Sequence, residues 1–330
     1  MAPPRPAAYR VAVSSGLPPP SSPSGVQWAI RHGDQELVVV EVGGGIRTYT
    51  RQGTDVVAGY RRSAMAVAGR GQQLIPWPNR MRDGRYTFDG QERQLALSEP
   101  AKHNASHGLV RWAAWTLAER TDDSVTLAHR LHPQPGWSWL LDLTTRYALT
   151  DEGLTVQATA TNVGNAHAPY GYGAHPYVCI GNVPVAGIEL TVPAARYLEV
   201  DPERLLPVTT HPVAGTAYDF RDARPLGESD LDTAFTEVLR GPDGCWQVTV
   251  GGLAAGGVTV WGDEAFPWLQ VFTGRARPET EGTNGIAVEP MTCPPDAFNS
   301  GEDLLVIEPG QSHTGTWGIR PGAERVCGDR

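Results

Sequence analysis

The chain never sustains one hydrophobic pattern for long. Its apolar residues come in short alternating or β-branched segments: VQWAIR, ELVVVEVGG, TDVVAGY, RYTFDG, SVTLAHRLH, LDLTTRYAL, LTVQATATNV, GIELTVPA, WQVTVGG, GVTVWG, WLQVFTG, GIAVEP and LLVIEPG. A period of two puts successive side chains on opposite faces of a strand. Between the segments stand turn residues. Glycine (38) and proline (28) together make one residue in five of 330, spread along the whole chain as many short connections require. LDLTTRYALTDEGLTVQATATNV reads as a hairpin turning at Asp151-Glu152-Gly153, and TDDSVTL has the same look. No window has the period of a long amphipathic helix. DPERLLP and DLDTAFTE offer one or two turns at most. Thirteen or more strands exceed a small sandwich, and no repeat has a propeller period. The predicted fold is therefore all-β, a large antiparallel β-sandwich of two extended sheets.

Composition then excludes some functions. With 40% hydrophobic and 19% charged residues, the chain fits a globular protein with a sizeable core. A net charge of −9 argues against nucleic acid as a partner, because phosphate binding needs a basic patch. No run approaches the roughly 18 apolar residues of a membrane-spanning helix. Residues 1–25 are rich in proline and serine and lack the apolar core of a secretion signal. They read as a flexible leader, with the VAV piece at 11–13 able to dock as an edge strand. Residues 26–330 show no linker-like shift and read as one domain. The four cysteines, Cys179, Cys245, Cys293 and Cys327, lie far apart without a CxxC, so a reducing cytoplasm is the expectation.

Several residues have the chemistry of a site. In LIPWPNRMRDG, Asn79 and Arg80 follow the rigid Pro76-Trp77-Pro78, and the guanidinium fork and the amide suit a polyhydroxyl ligand. The bland alternative is a loop arginine paired with a surface acid. His103 and His107 in HNASHG would share a face on a helix or a strand, yet the context is a loop. His175, in GYGAHPY, is held extended by Pro176 and flanked by glycines that permit close approach. Its imidazole can serve as an acid near neutrality, although an ordinary sheet histidine would look the same. Glu289 falls on the face opposite Ile286 and Val288, and a buried carboxylate there is costly unless it lies at a mouth or does work. Asp232 also reads as a helix N-cap, and Gln270 faces away from Leu269 and Val271, as half-exposed strands routinely allow. GGGIRTY at 43–49 lacks the helix of a phosphate cradle.

In order along the chain, these pieces form a recognisable set. They are GGGI near the start, PNRM-x-x-G-x-Y-x-F-x-G, HG at 107–108, AHPY at 174–177, DF…LD at 219–232, LQVFTG at 269–274, AVEP with PPDAFN at 287–299, and PGQS…W at 309–317. From about residue 25 to 320 the chain resembles the aldose 1-epimerases, or galactose mutarotases. The resemblance implies a galactose mutarotase-like supersandwich with a shallow, open cleft on one sheet. It implies Glu289 as catalytic base, His175 as general acid and His107 as a second active-site histidine. Asn79, Arg80, Asp232 and Gln270 match positions that bind sugar hydroxyls, and Tyr177 would line the cleft. The expected reaction is exchange of the α and β anomers of a free aldohexose such as galactose or glucose, with acid and base on opposite sides of one pyranose. It needs no metal and no organic cofactor, and the expected partner is a small sugar, bound by a monomer or homodimer.

The chain departs from the pattern after His175, where HPYVCIG lacks the familiar aromatic, which puts sugar preference in doubt. The cluster Arg80, Arg82 and Arg85 leaves a hexose 6-phosphate open as substrate. Two further alternatives are a non-catalytic sugar-binding domain on the same frame and a metal-dependent β-sandwich using His103, His107, His175 and Glu289.

Overall fold

The structure, a computed structural model, describes residues 22–180, 183–251, 256–274 and 285–322. Among these residues, one antiparallel sheet has twelve strands and a second has nine. Apolar residues from both sheets, such as Leu37, Val178 and Val288 from the first and Leu143, Val248 and Trp317 from the second, form one continuous core. The expected β-sandwich is what the chain adopts. The 141–163 hairpin is present, with Leu141–Thr150 pairing Gly153–Asn162. The 116–131 hairpin around TDDSVTL is present too, its strands being Thr116–Arg120 and Ser124–Leu131.

Three sequence expectations change. DLDTAFTE is not helical: Asp232–Val238 is a strand inside the larger sheet, so Asp232 opens a strand and caps no helix. Its alternation of Thr233, Phe235 and neighbours fits a pleated surface better than a short helix with no further apolar face. DPERLLP forms turns closed by Asp201, whose carboxylate accepts the N–H groups of Glu203, Arg204 and Leu206. The described α-helical turn is Ala297–Ser300, beyond Pro294-Pro295. At the chain start, Ser24 within the expected leader is buried and donates to Ala64 O. The VAV piece and Cys327 lie outside the described residues. No described helix is long and apolar enough to cross a membrane.

The middle of the larger sheet positions the site. There Tyr177–Val178, Ile286–Met291, Trp268–Phe272 and Asp232–Val238 are successive antiparallel neighbours. Ile286, Val288, Leu269 and Val271 point into the core. Their alternates point the other way, where Ala234, Trp268 and Met291 form part of a smaller apolar cluster. Glu289 and Gln270 share that outer face, as the alternation requires.

Candidate active site

Strand register brings the chemistry together. Gly173 pairs with Met291 and Tyr177 with Ala287, so counting inward by two from either bridge puts His175 opposite Glu289. On the other side, Gln270 pairs directly with Glu289. His175, Glu289 and Gln270 therefore form a row across three strands, and Asp232 on the next strand reaches it diagonally. Gln270 Nε2 donates to Asp232 Oδ1 at 2.7 Å.

This row forms the floor of a cleft of about 450 Å³. His175 Nε2 and Glu289 Oε1 are 3.3 Å apart, with both side chains nearly inaccessible. The two groups were expected on opposite sides of a sugar ring. They are instead in direct contact, which cross-strand neighbours with Cβ atoms about 5 Å apart can make. The His175 ring stacks on Tyr177, with centroids 5.0 Å apart and planes 13° apart. Tyr177 itself is fully buried, does not line the cleft as expected, and donates its hydroxyl to Ala68 O. It backs the imidazole.

The wall of the cleft comes from the PNRM and HNASHG segments. Arg80–Arg82 pairs with Asn104–Ser106, and a clasp closes the end of that pair. The Asn79 N–H donates to His107 Nδ1 at 3.2 Å, and the His107 N–H donates to Asn79 O at 2.8 Å. Both residues have left-handed backbone, with φ 54° and 61°, which these reciprocal bonds hold in place. Because Nδ1 accepts, the ring proton of His107 is on Nε2, a donor for the cleft. Arg80 is anchored by Glu99 at 2.9 Å, touches Asn79 Oδ1 at 3.3 Å and lies 3.8 Å from Asp232. Asn79, Arg80, His107, His175, Asp232, Gln270 and Glu289 thus all border one cleft.

The other candidates are not brought in. His103 does not line the cleft. Arg82 pairs with Asp296 and Arg85 with Gln94, both away from the site. The sequence cluster of three arginines therefore contributes only Arg80. Among the described residues, no three His, Cys, Asp or Glu side chains gather into a metal-binding group. Sequence reasoning missed Glu99, Arg111 and Trp112, which also border the cleft. The adjacent cation and aromatic four and five positions after His107 were the available signal.

The electrostatics follow from burial. Burial pushes the Glu289 carboxyl well above the ordinary carboxylate range, and the Asp232 charge adds to this against the opposing pull of Arg80. Burial holds His175 down to about 3, and the Arg111 charge contributes. Burial and Arg111 likewise keep His107 well below the usual imidazole range. Both shifts favour the neutral forms, a protonated Glu289 beside an uncharged His175. Glu289 Oε2 and Gln270 Oε1 are buried without a partner among the described residues. Buried polar atoms are nearly always bonded, so two adjacent acceptors of this kind on a cleft floor suit hydroxyl groups. The arrangement can pass a proton between two oxygens held close together.

The family model for aldose 1-epimerase matches residues 27–320. A protein of Escherichia coli K12, the uncharacterized protein YihR, is 36% identical over 292 residues, covering 88% of this chain and 91% of its own. An aldose 1-epimerase of the same organism is 26% identical over 181 residues, 52% of this chain and 51% of its own. Among solved structures, a galactose 1-epimerase from Lactobacillus acidophilus superposes with a TM-score of 0.73 at 20% identity, covering 90% of this chain and 95% of that one. The GalM/aldose epimerase homologue from C. elegans superposes at 0.77 with 17% identity, covering 90% and 100%. These two structures share the fold.

Proposed function

Because the chain belongs to the aldose 1-epimerase family, we propose that it interconverts the α and β anomers of a cyclic aldose, with Glu289 as base and His175 as acid. The observation carrying this reading is the 3.3 Å contact between His175 Nε2 and Glu289 Oε1. In a cyclic hemiacetal the anomeric hydroxyl oxygen and the ring oxygen are both bonded to C1. A base and an acid in mutual contact suit two oxygens that share one carbon.

The steps balance without an outside reagent. The proton resting on Glu289 crosses to His175, giving a carboxylate beside an imidazolium. Glu289 then removes the proton of the anomeric hydroxyl while His175 protonates the ring oxygen and the C1–O bond breaks. An open-chain aldehyde results, and the pair is back in its resting protonation state. C1 turns about C1–C2. His175 takes back the proton of the attacking hydroxyl, and Glu289 returns its own to the new anomeric oxygen. No electron moves, so the reaction calls on no redox cofactor. Gln270 Oε1 and Asp232 would accept neighbouring hydroxyls, and His107 Nε2–H and Arg80 would donate to developing oxyanions. Each proton transfer contributes on the order of 10²–10⁴-fold.

Exchange NMR or polarimetry on freshly dissolved α-glucose and α-galactose tests the reading. The rate should rise with protein concentration and fall to background in Glu289→Gln. Saturable binding without faster exchange would replace it with a sugar-binding role.

A further inference from the structure

Arg111 is a cation of the cleft wall that the proton shuttle leaves unused. Its backbone is pinned: the carbonyl accepts Gln72 Nε2 at 2.8 Å, and a Cβ on the adjacent Gly43 would come within 2.5 Å of that oxygen. Its guanidinium borders the cleft, 5.7 Å from the Trp112 ring, and has no ion pair or hydrogen bond among the described residues. Arg80, the other cation of the cleft, already has Glu99 and Asp232. Glu99 acts on this half-buried guanidinium from a distance but is bonded to Arg80, so the planar fork of Arg111 is left to fit the oxygens of a carboxylate or phosphate.

The position of Arg111 relative to the shuttle says which part of a sugar it meets. Passing round a pyranose from C1 through the ring oxygen leads to C5 and its substituent, carbon 6. The ring oxygen belongs to His175, so carbon 6 lies beyond the imidazole, away from Gln270 and Asp232. Arg111 is close enough to His175 and His107 to bear on both rings.

We propose that the preferred substrate is an aldose carrying an anionic group at carbon 6, held by Arg111 against Trp112. This rests on the ring-opening reading above. Trp112 is half exposed at the rim, where an aromatic face can cover the substituent while leaving its charge to the arginine. Pairing the anion also offsets the Arg111 charge that bears on His175, which favours the protonated acid that ring opening uses.

The test is exchange NMR at low ionic strength with glucose, glucose 6-phosphate and glucuronate, using the wild type, Arg111→Gln and Arg111→Lys. The expected kcat/KM for at least one anionic sugar exceeds that for glucose by on the order of tenfold to a hundredfold, the scale of a charge-assisted hydrogen bond. Preference for the phosphate alone or the carboxylate alone assigns the source of the anion. Arg111→Gln should bring the anionic-to-neutral ratio near one, and Arg111→Lys should retain part of it. In the wild type, added salt should raise KM for the anionic sugar more than for glucose, a readout that needs no variant. Equal turnover of all three sugars, with a ratio indifferent to Arg111→Gln and to salt, overturns the inference and leaves the epimerase reading standing. No accelerated exchange for any sugar overturns both.

Discussion

Gly69 lies flat against the edge of the His175 imidazole. A Cβ at this position would stand 2.6 Å from His175 Cδ2, and the Gly69 backbone has φ +75°, which other residues adopt only at a cost. The ring cannot retreat, because Tyr177 stacks on its face. Gly69→Ala should therefore tilt the imidazole away from Glu289. We expect kcat to fall by at least about tenfold with the fold retained, as a misplaced proton donor implies. Steady-state exchange rates with a circular dichroism control measure this. Wild-type kcat in Gly69→Ala would mean that the position of His175 is not critical.

Glu289→Gln removes the proposed base yet keeps the shape. Exchange should drop on the order of 10²-fold or more. Stability should move in the opposite direction. Burial raises the Glu289 pKa above its unfolded value, so the stability linked to this carboxyl is complete below about pH 4.5 and is lost as pH rises towards the folded pKa. The amide does not titrate. The unfolding free energy of the variant should therefore gain on that of the wild type with increasing pH, at up to about 1.4 kcal/mol per unit, and its Tm should rise accordingly. Parallel Tm curves from pH 5 to 8 would place Glu289 in a more solvated setting than the cleft floor.

The pH profile of kcat/KM should show a plateau between the lowered pKa of His175 and the raised pKa of Glu289. The pair needs one proton. A second goes on only when His175 protonates, near 3, and the first is lost only above the raised pKa of Glu289. His107 is also held low, so no break is expected near 6.5. Asp232 helps to raise Glu289. Asp232→Asn should thus shift the alkaline break to lower pH, besides raising KM through the lost hydroxyl acceptor. A break near 6.5 that vanishes in His175→Asn would contradict this account.

Tyr177 acts through His175, and its variants should separate kcat from KM. Tyr177→Phe keeps the stacked ring and loses the bond to Ala68 O, so a change within about threefold is expected. Tyr177→Leu loses the stack. Its kcat should fall at least about tenfold with KM nearly unchanged, and the buried volume lost should lower stability by about 1–3 kcal/mol. A raised KM with unchanged kcat would instead mark Tyr177 as a sugar contact.

The larger part of the fold was legible in the linear pattern, because period-two alternation and turn chemistry are local properties. The hairpin at Asp151-Glu152 and the outward face of Glu289 follow from counting residues. DLDTAFTE misled for a physical reason: eight residues can satisfy either period, and the choice was made by the pairing of Asp232–Val238 with strands from elsewhere in the chain.

The sequence by itself determined the all-β class, the turns, and the residue types available for acid, base and hydroxyl contacts. Only the tertiary structure decided which of them meet. The register between the 173–178 and 286–291 segments is set by side-chain packing between segments over a hundred residues apart, and it puts His175 on Glu289. The same long-range packing hides Tyr177, sends Arg82 to Asp296, and leaves Arg111 facing the cleft. Burial, which moves the proton affinities of Glu289 and His175 apart from their ordinary values, is a property of the assembled sheets and of no short stretch of chain.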